Sequence, residues 1–221
     1  MRAVVMLAVL AGVGAYSLGR RAALGAAVAI PASAFAEDGT LGELRKYTAL
    51  APLGSSSARI GPPKRTGLAL DEVARILAHD VAFGEHGEGG YVISGDLTPE
   101  IFEDDCTFRD PTNEVSSLAK YTRALQILFD PIASRVMLLA PPVVDSSART
   151  ITARVRSAGV LQLPWRPQVP PYTSEIVWQI DSDGLVASQS QVWSITALGA
   201  LKETFTPGFG ARASAAAASS W

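Results

Sequence analysis

A chain of 221 residues with 48% hydrophobic and 18% charged side chains can bury the core of one domain plus extensions, and is too apolar to stay disordered. Its one cysteine, Cys106, excludes an intramolecular disulfide and a cysteine-rich metal site, and two histidines, His79 and His86, exclude a histidine-built metal centre without carboxylate help. The net charge of −2 gives no reason to expect nucleic acid as a partner, and neither a metal nor a cofactor is expected.

Residues 1–36 hold no Asp or Glu and only three charges, Arg2, Arg20 and Arg21. Two apolar runs, Val4 to Ala15 and Ala22 to Ile30, are each too brief to span a bilayer. Ala34-Phe-Ala36 puts small residues at the two positions a signal peptidase reads. A double arginine, a weakly apolar run and Ala-x-Ala together look like a twin-arginine export signal. Two export-like segments in series resemble the layered presequence of a plastid protein bound for the thylakoid lumen, with cleavage near Ala36. Ala32 to Ala36 also resembles the cleavage motif of algae with complex plastids, which would move the cut before Phe35. A single transmembrane anchor and a bacterial periplasmic protein are the alternatives.

Residues 37–66 carry Gly54-Ser-Ser-Ser57 and Gly61-Pro-Pro63 and read as a flexible linker. The folded domain is expected over 67–207, followed by an Ala/Ser tail over 208–221 with no amphipathic face. Val73, Ile76, Leu77 and Val81 form an apolar stripe at helical spacing behind Asp71. Thr98-Pro99-Glu100 predicts the start of a second helix, with Thr98 as N-cap, that ends in Glu103, Asp104 and Asp105 and drops into a strand over Cys106 to Arg109. Leu118, Tyr121, Leu125, Leu128 and Phe129 mark a third helix, stopped by Pro131.

Beyond Pro131 the period changes to two. Arg149 to Arg156 and Tyr172 to Ile180 alternate as strands. Asp183-Gly184 predicts a tight turn into a strand over Leu185 to Trp193, and Ser194 caps a last helix, Ile195 to Phe205. Helices first and a curved antiparallel sheet afterwards is an α+β layer plan with the helices on one face.

The order of these elements, with Asp110-Pro111 after the first strand and Trp193-Ser194 after the hairpin, resembles the nuclear-transport-factor-2-like superfamily over about residues 68–206. That superfamily includes ketosteroid isomerase, scytalone dehydratase and the SnoaL-like polyketide cyclases. The segments Gly95 to Phe102, Asp104 to Thr112, Leu163 to Pro167 and Trp193 to Leu198 look like an uncharacterised branch found in plants, algae and cyanobacteria. The resemblance implies a cone-shaped curved antiparallel sheet packed against N-terminal helices and enclosing a mainly apolar cavity. Its expected lining is Phe102, Phe108, Asp110, Tyr121, Leu125, Trp178 and Trp193.

Asp110 stands where the ketosteroid isomerases hold a proton-abstracting aspartate. A carboxylate at the mouth of an apolar cavity can move protons if its pKa is raised. The isomerase's other two groups are missing, since Ile176 falls at the protonated-acid position and the nearest tyrosine, Tyr91, is off register. An Asp before Pro also serves as a turn residue, accepting from the amides of Thr112 and Asn113. A dehydratase would need an Asp–His pair from His79 or His86, which precede the strands. Consecutive carboxylates at 103–105 point in different directions and read as a solvated corner, and Cys106 as a small buried apolar residue.

Trp165, Arg166 and Tyr172 belong to a proline-stiffened segment that is either a docking strip on the sheet rim or a rigid connection whose aromatics join the core. One acid–base group of three argues against an enzyme. The leading expectation is therefore an accessory or assembly factor of a photosynthetic membrane complex in the thylakoid lumen. A homodimer through the sheet face is a further partner arrangement. The alternative is binding of, or proton-transfer chemistry on, a small hydrophobic molecule in the cone.

Overall fold

The computed structural model describes residues 61–205. The presequence, most of the linker and the Ala/Ser tail lie outside the described residues. Inside them, helix α1 (Leu70–Ala82) buries Val73, Ala74, Ile76, Leu77 and Val81, the stripe read from the sequence. A four-residue helix α2 (Tyr91–Ser94) and a 3₁₀ turn (Pro99–Ile101) lead into strand β1 (Phe102–Arg109). Strand β2 (Glu114–Ser116) and helix α3 (Leu118–Leu128) follow, and then strands β3 (Arg135–Leu138) and β4 (Val143–Asp145). Three long strands, β5 (Thr150–Val160), β6 (Gln168–Ile180) and β7 (Val186–Trp193), precede helix α4 (Ala197–Phe205).

The seven strands form one sheet in the order β2-β1-β7-β6-β5-β3, with β4 pairing β5 beside β3. Every pairing is antiparallel except β1 with β7, which run parallel with Phe108 opposite Gln189. Helix α1 packs on β3, β4 and β5, while α3 packs on β1 and β2. The core therefore lies between these helices and the sheet's inner face, where Ile151, Ala153, Val155, Ile176, Trp178 and Ile180 are buried. Burying one such large apolar side chain contributes roughly 1.5–3 kcal/mol. Arg154 and Glu175 stand opposite each other on the solvent face, as the period of two requires.

Gly184 sits at φ 85 in the turn between β6 and β7, a left-handed conformation that glycine adopts without strain. Asp181 Oδ1 accepts from the amides of Asp183 and Leu185 at 2.9 and 2.8 Å and fixes this turn. The turn also holds the chain's approach to α1, because Gly67 N donates to Asp183 O at 2.7 Å. Lys64 pairs with Asp104 at 2.7 Å, so the last residues of the expected linker are tied to the domain.

Three local expectations need correction, and one cap was not foreseen. Pro99 opens a single 3₁₀ turn and not a helix, because the Thr98 hydroxyl donates to buried Asp80 (3.1 Å) and does not cap. Glu103, Asp104 and Asp105 lie in β1 and not at a helix end, where the register with β7 shifts between Phe102 and Thr107. Ser117 caps α3, accepting from Lys120 N at 3.4 Å. The last helix starts at Ala197, with Thr196 Oγ1 accepting from Gly199 N at 3.0 Å, while Ser194 Oγ accepts from Thr173 N.

Candidate functional site: the open end of the cone

The deep part of the interior is sealed. Tyr91, Phe102 and Trp178 are each 0% exposed. The Tyr91 hydroxyl donates to Gln189 Oε1 at 2.5 Å, and Trp178 Nε1 donates to the same oxygen at 3.1 Å and to the Tyr91 oxygen at 3.0 Å. Burial holds the Tyr91 phenol well above its ordinary pKa, so it stays a neutral donor. An aromatic row runs outward from here. Tyr91 meets Phe102 edge-on at 6.3 Å, Phe102 lies 6.1 Å from Phe108, and Phe108 stacks on Tyr121 at 3.8 Å and 6°.

At the far end of that row the residues become accessible. Asp110, Tyr121, Leu125, Leu128, Phe129, Tyr172 and Trp193 are all half-buried. Strand pairing sets the order across the inner face. Ser157 on β5 stands opposite Tyr172 on β6, and Ser174 on β6 stands opposite Trp193 on β7. The Tyr172 and Trp193 rings touch, 5.2 Å apart, and Gln191 Nε2 donates to Ser174 Oγ at 2.8 Å. Burial first raises the Tyr121 phenol, with a contact to Gln189 lowering it and the Asp110 charge raising it. The Tyr172 phenol is raised by burial and then by Asp110. Asp110 therefore directs its charge toward both hydroxyls at this end.

Asp110 is also the pivot of the β1–β2 turn. Its Oδ1 accepts from Thr112 N at 2.6 Å, Thr112 Oγ1 at 2.6 Å and Asn113 N at 2.9 Å. This is the turn geometry that Asp-Pro favours, and it commits that oxygen. Ile176 is buried and apolar, and the Tyr91 hydroxyl donates to Gln189 in the sealed network. His79 and His86 have side chains 56% and 70% exposed; His79 pairs with Asp80 within α1, and His86 pairs with Asp96 across the loops that flank α2. Cys106 is buried with its thiol pushed far up, first by burial and then by Glu103, so it is no thiolate.

Of the expected cavity lining, the structure brings Asp110, Tyr121, Leu125 and Trp193 to the accessible end. Phe102, Phe108 and Trp178 are corrected to core, because the aromatic row and the Gln189 network fill the space between them. The expected docking strip is split in a second correction. Tyr172 lies in β6 and its phenol is buried against Trp193, whereas Trp165 is 54% exposed and Arg166 pairs with Asp130 at 2.7 Å. A proline-rich stretch can join a sheet where its missing donors are not needed, and β6 runs through Pro170 and Pro171. Gln189, Gln191, Ser157 and Ser174 were not anticipated as interior residues. Gln189 and Gln191 share the parity of Trp193 along one strand, a signal that would have placed all three on one face.

Among the described residues, Glu85, His86 and Asp96 can bring one ligand atom each within 4.8 Å of one another. Asp96 already accepts from His86 N, Glu88 N and the His86 ring, so the group reads as a loop staple. No helix among the described residues is long and apolar enough to cross a membrane.

Residues 92–189 match the family model described as Uncharacterized conserved protein (DUF2358). No curated protein matches the chain. Among solved structures the chain is similar to a putative polyketide cyclase of Pseudomonas putida, at 11% identity over 63% of this chain and 100% of that one, with a TM-score of 0.43. It is also similar to a hypothetical protein of Catenulispora acidiphila with a ketosteroid-isomerase-like fold, solved with trimethylamine (10% identity, 62% and 94% covered, TM-score 0.41). A third is an NTF2-like protein of unknown function from an Exiguobacterium species (16% identity, 43% and 79% covered, TM-score 0.36). Helices packed against one sheet, with β1 parallel to β7, make this an α+β fold.

Proposed function

We propose that the open end of the cone binds a small hydrophobic molecule. The observation that carries this reading is the gradient of exposure along the aromatic row, sealed at Tyr91 and Phe102 and half-buried at Tyr121, with the separate contacting pair Tyr172 and Trp193 also half-buried. Half-buried aromatic and aliphatic side chains with a few polar groups among them are what an apolar ligand site needs. Asp110 is assigned to the turn and not to proton transfer, because its Oδ1 is engaged by Thr112 and Asn113.

The test is a titration with a neutral apolar fluorophore, N-phenylnaphthylamine. Saturable enhancement at one dye per chain is expected, and Leu125→Trp, which fills the opening from α3, is expected to abolish it. Enhancement that does not saturate, or that survives Leu125→Trp in a folded variant, would refute the reading.

We also propose a thylakoid-lumen address, on the strength of Arg20-Arg21 and Ala34-Phe-Ala36. An accessory role beside a photosynthetic membrane complex is the second reading, favoured by the indole of Trp165 held out in solvent next to the Arg166–Asp130 pair. Organelle fractionation should find a shortened form inside the thylakoid and resistant to added protease. Trp165→Ala should release it from any complex there. A full-length form in stroma or cytosol contradicts the address, and an unchanged complex contradicts the role given to Trp165.

A further inference from the structure

The loop from α1 to α2, residues 83–90, is held down by a carboxylate from beyond α2. The Asp96 side chain is only 6% exposed, and its Oδ2 accepts from the amides of His86 at 2.8 Å and Glu88 at 3.2 Å. Glu85 N donates to Asp96 O at 2.9 Å, so the backbone fixes loop and carboxylate against each other. The other oxygen, Oδ1, faces the His86 ring, 2.7 Å from Nδ1. Glu85 Oε2 lies 3.6 Å from the same nitrogen, and the three ligand atoms all fall within 4.8 Å of one another.

This corner is short of positive charge. Among the described residues no Lys or Arg pairs with Glu85, Glu88 or Asp96, and the one cationic partner is the His86 imidazole, 70% exposed and charged only while protonated. Burial pushes the Glu85 carboxyl up, His86 draws it back, and the charges of Glu100, Asp80 and Asp96 push it up again. Glu100 Oε2 is itself buried without a hydrogen-bond partner among the described residues. Carboxylates gathered and partly buried without a fixed counter-charge are costly, and a bound cation removes that cost.

The donor set decides which cation. Calcium and magnesium take oxygen ligands, whereas an imidazole nitrogen beside carboxylates suits zinc and its neighbours among the first-row metals. Zinc holds such donors at about 2.0–2.2 Å, which puts tetrahedral ligand atoms about 3.3–3.6 Å apart. The Glu85–His86 spacing of 3.6 Å already meets that distance. The His86–Asp96 pair has to open by about 0.6–0.9 Å to reach it, as the proton between them leaves to solvent, and the exposed ring has room to turn.

We infer that Glu85 Oε2, His86 Nδ1 and Asp96 Oδ1 bind one divalent ion of the zinc class, with water completing its shell. The same three groups staple the loop through a proton when no ion is bound. The site is independent of the ligand-binding reading above, and no chemical step is assigned to it.

The test is a calorimetric titration of the tag-free full chain with zinc chloride. One ion per chain is expected, undisturbed by magnesium or calcium in about 100-fold excess. His86→Ala should weaken zinc at least about 10-fold, since the loss of even an outer-shell partner costs that much, and Glu85→Gln should do the same with the Asp96 amide contacts untouched. His79→Ala, at the other histidine, should leave the affinity as it is. Zinc should also raise the urea midpoint of the wild type and not that of His86→Ala. Near-ultraviolet dichroism checks that each variant is folded, and Glu85→Gln carries the test if His86→Ala does not fold. No saturable binding of one zinc ion overturns the inference, as does wild-type affinity in either folded site variant. A loss in His79→Ala as large as in His86→Ala places the ion elsewhere and overturns it too.

Discussion

Replacing Gln189 with leucine tests the sealed network directly. Gln189 is 2% exposed, and its Oε1 accepts from the Tyr91 hydroxyl and also from the Trp178 N–H. Leucine has nearly the same volume, so the change is one of hydrogen bonding. Trp178 retains the Tyr91 oxygen as acceptor, at 3.0 Å, whereas the Tyr91 O–H is stranded in the core. One stranded buried hydroxyl costs roughly 1–3 kcal/mol, so Gln189→Leu should lower stability by about 2 kcal/mol. Tyr91→Phe strands nothing, since Trp178 still meets Gln189, and should lower stability by about 1 kcal/mol or less. The double variant exchanges one stranded donor, the tyrosine hydroxyl, for another, the indole N–H. Its loss should stay near about 2 kcal/mol, below the sum of the two single losses. Urea unfolding followed by tryptophan fluorescence measures all three. A Tyr91→Phe loss equal to or above that of Gln189→Leu, or a double variant that loses the full sum, would refute this account of the core.

Glu103 is pushed up to about 7, first by burial and then by Asp181 and Asp105 beside it, against an ordinary value of 4.5. The folded state thus holds this proton more tightly than the unfolded state, so stability should be full below about pH 4.5 and decline up to about pH 7. Glu103→Gln should remove that slope and, allowing for solvent screening, stabilise the protein by about 1 kcal/mol at pH 8; an unchanged slope in pH-dependent melts excludes Glu103 as its source. Asp110→Ala removes three acceptor contacts and should cost about 1–2 kcal/mol, while Asp110→Asn, which keeps an amide-accepting oxygen, should cost about half that or less in the same denaturation assay. A Cβ at Gly159 would stand 2.6 Å from Phe129 Cε1, so Gly159→Ala should lose about 1–3 kcal/mol and displace Phe129 from the rim, seen as a lower urea midpoint. A wild-type midpoint would show that the ring yields freely.

The residues that declared themselves in the sequence are those whose signal is local. Val73, Ile76, Leu77 and Val81 repeat at helical spacing, and α1 buries that stripe. Arg149 to Arg156 and Tyr172 to Ile180 alternate, and β5 and β6 run through both. Asp183-Gly184 turns the chain between β6 and β7 because glycine accepts a left-handed backbone and Asp181 ties down the amides. The Asp110 turn is equally local, since every partner of its Oδ1 lies within three residues. From these features alone the helices-then-sheet plan was legible.

Tertiary structure decided the rest, through contacts between residues far apart in the chain. Glu103 to Asp105 are poor strand formers, yet they extend in β1 because β7, some eighty residues later, pairs alongside. Thr98 does not cap a helix because Asp80, 18 residues earlier, is buried and takes its hydroxyl. Tyr91 and Trp178, separated by 87 positions, meet over Gln189, which turns three expected or overlooked site residues into a closed core. Tyr172 left the exposed strip for the interior because β6 continues back to Gln168, and pairing with β5 fixes which face its ring takes. Local chemistry can specify a stripe, a cap or a turn, but which polar side chains share the inside of a curved sheet depends on register, and register is settled only when distant strands pair.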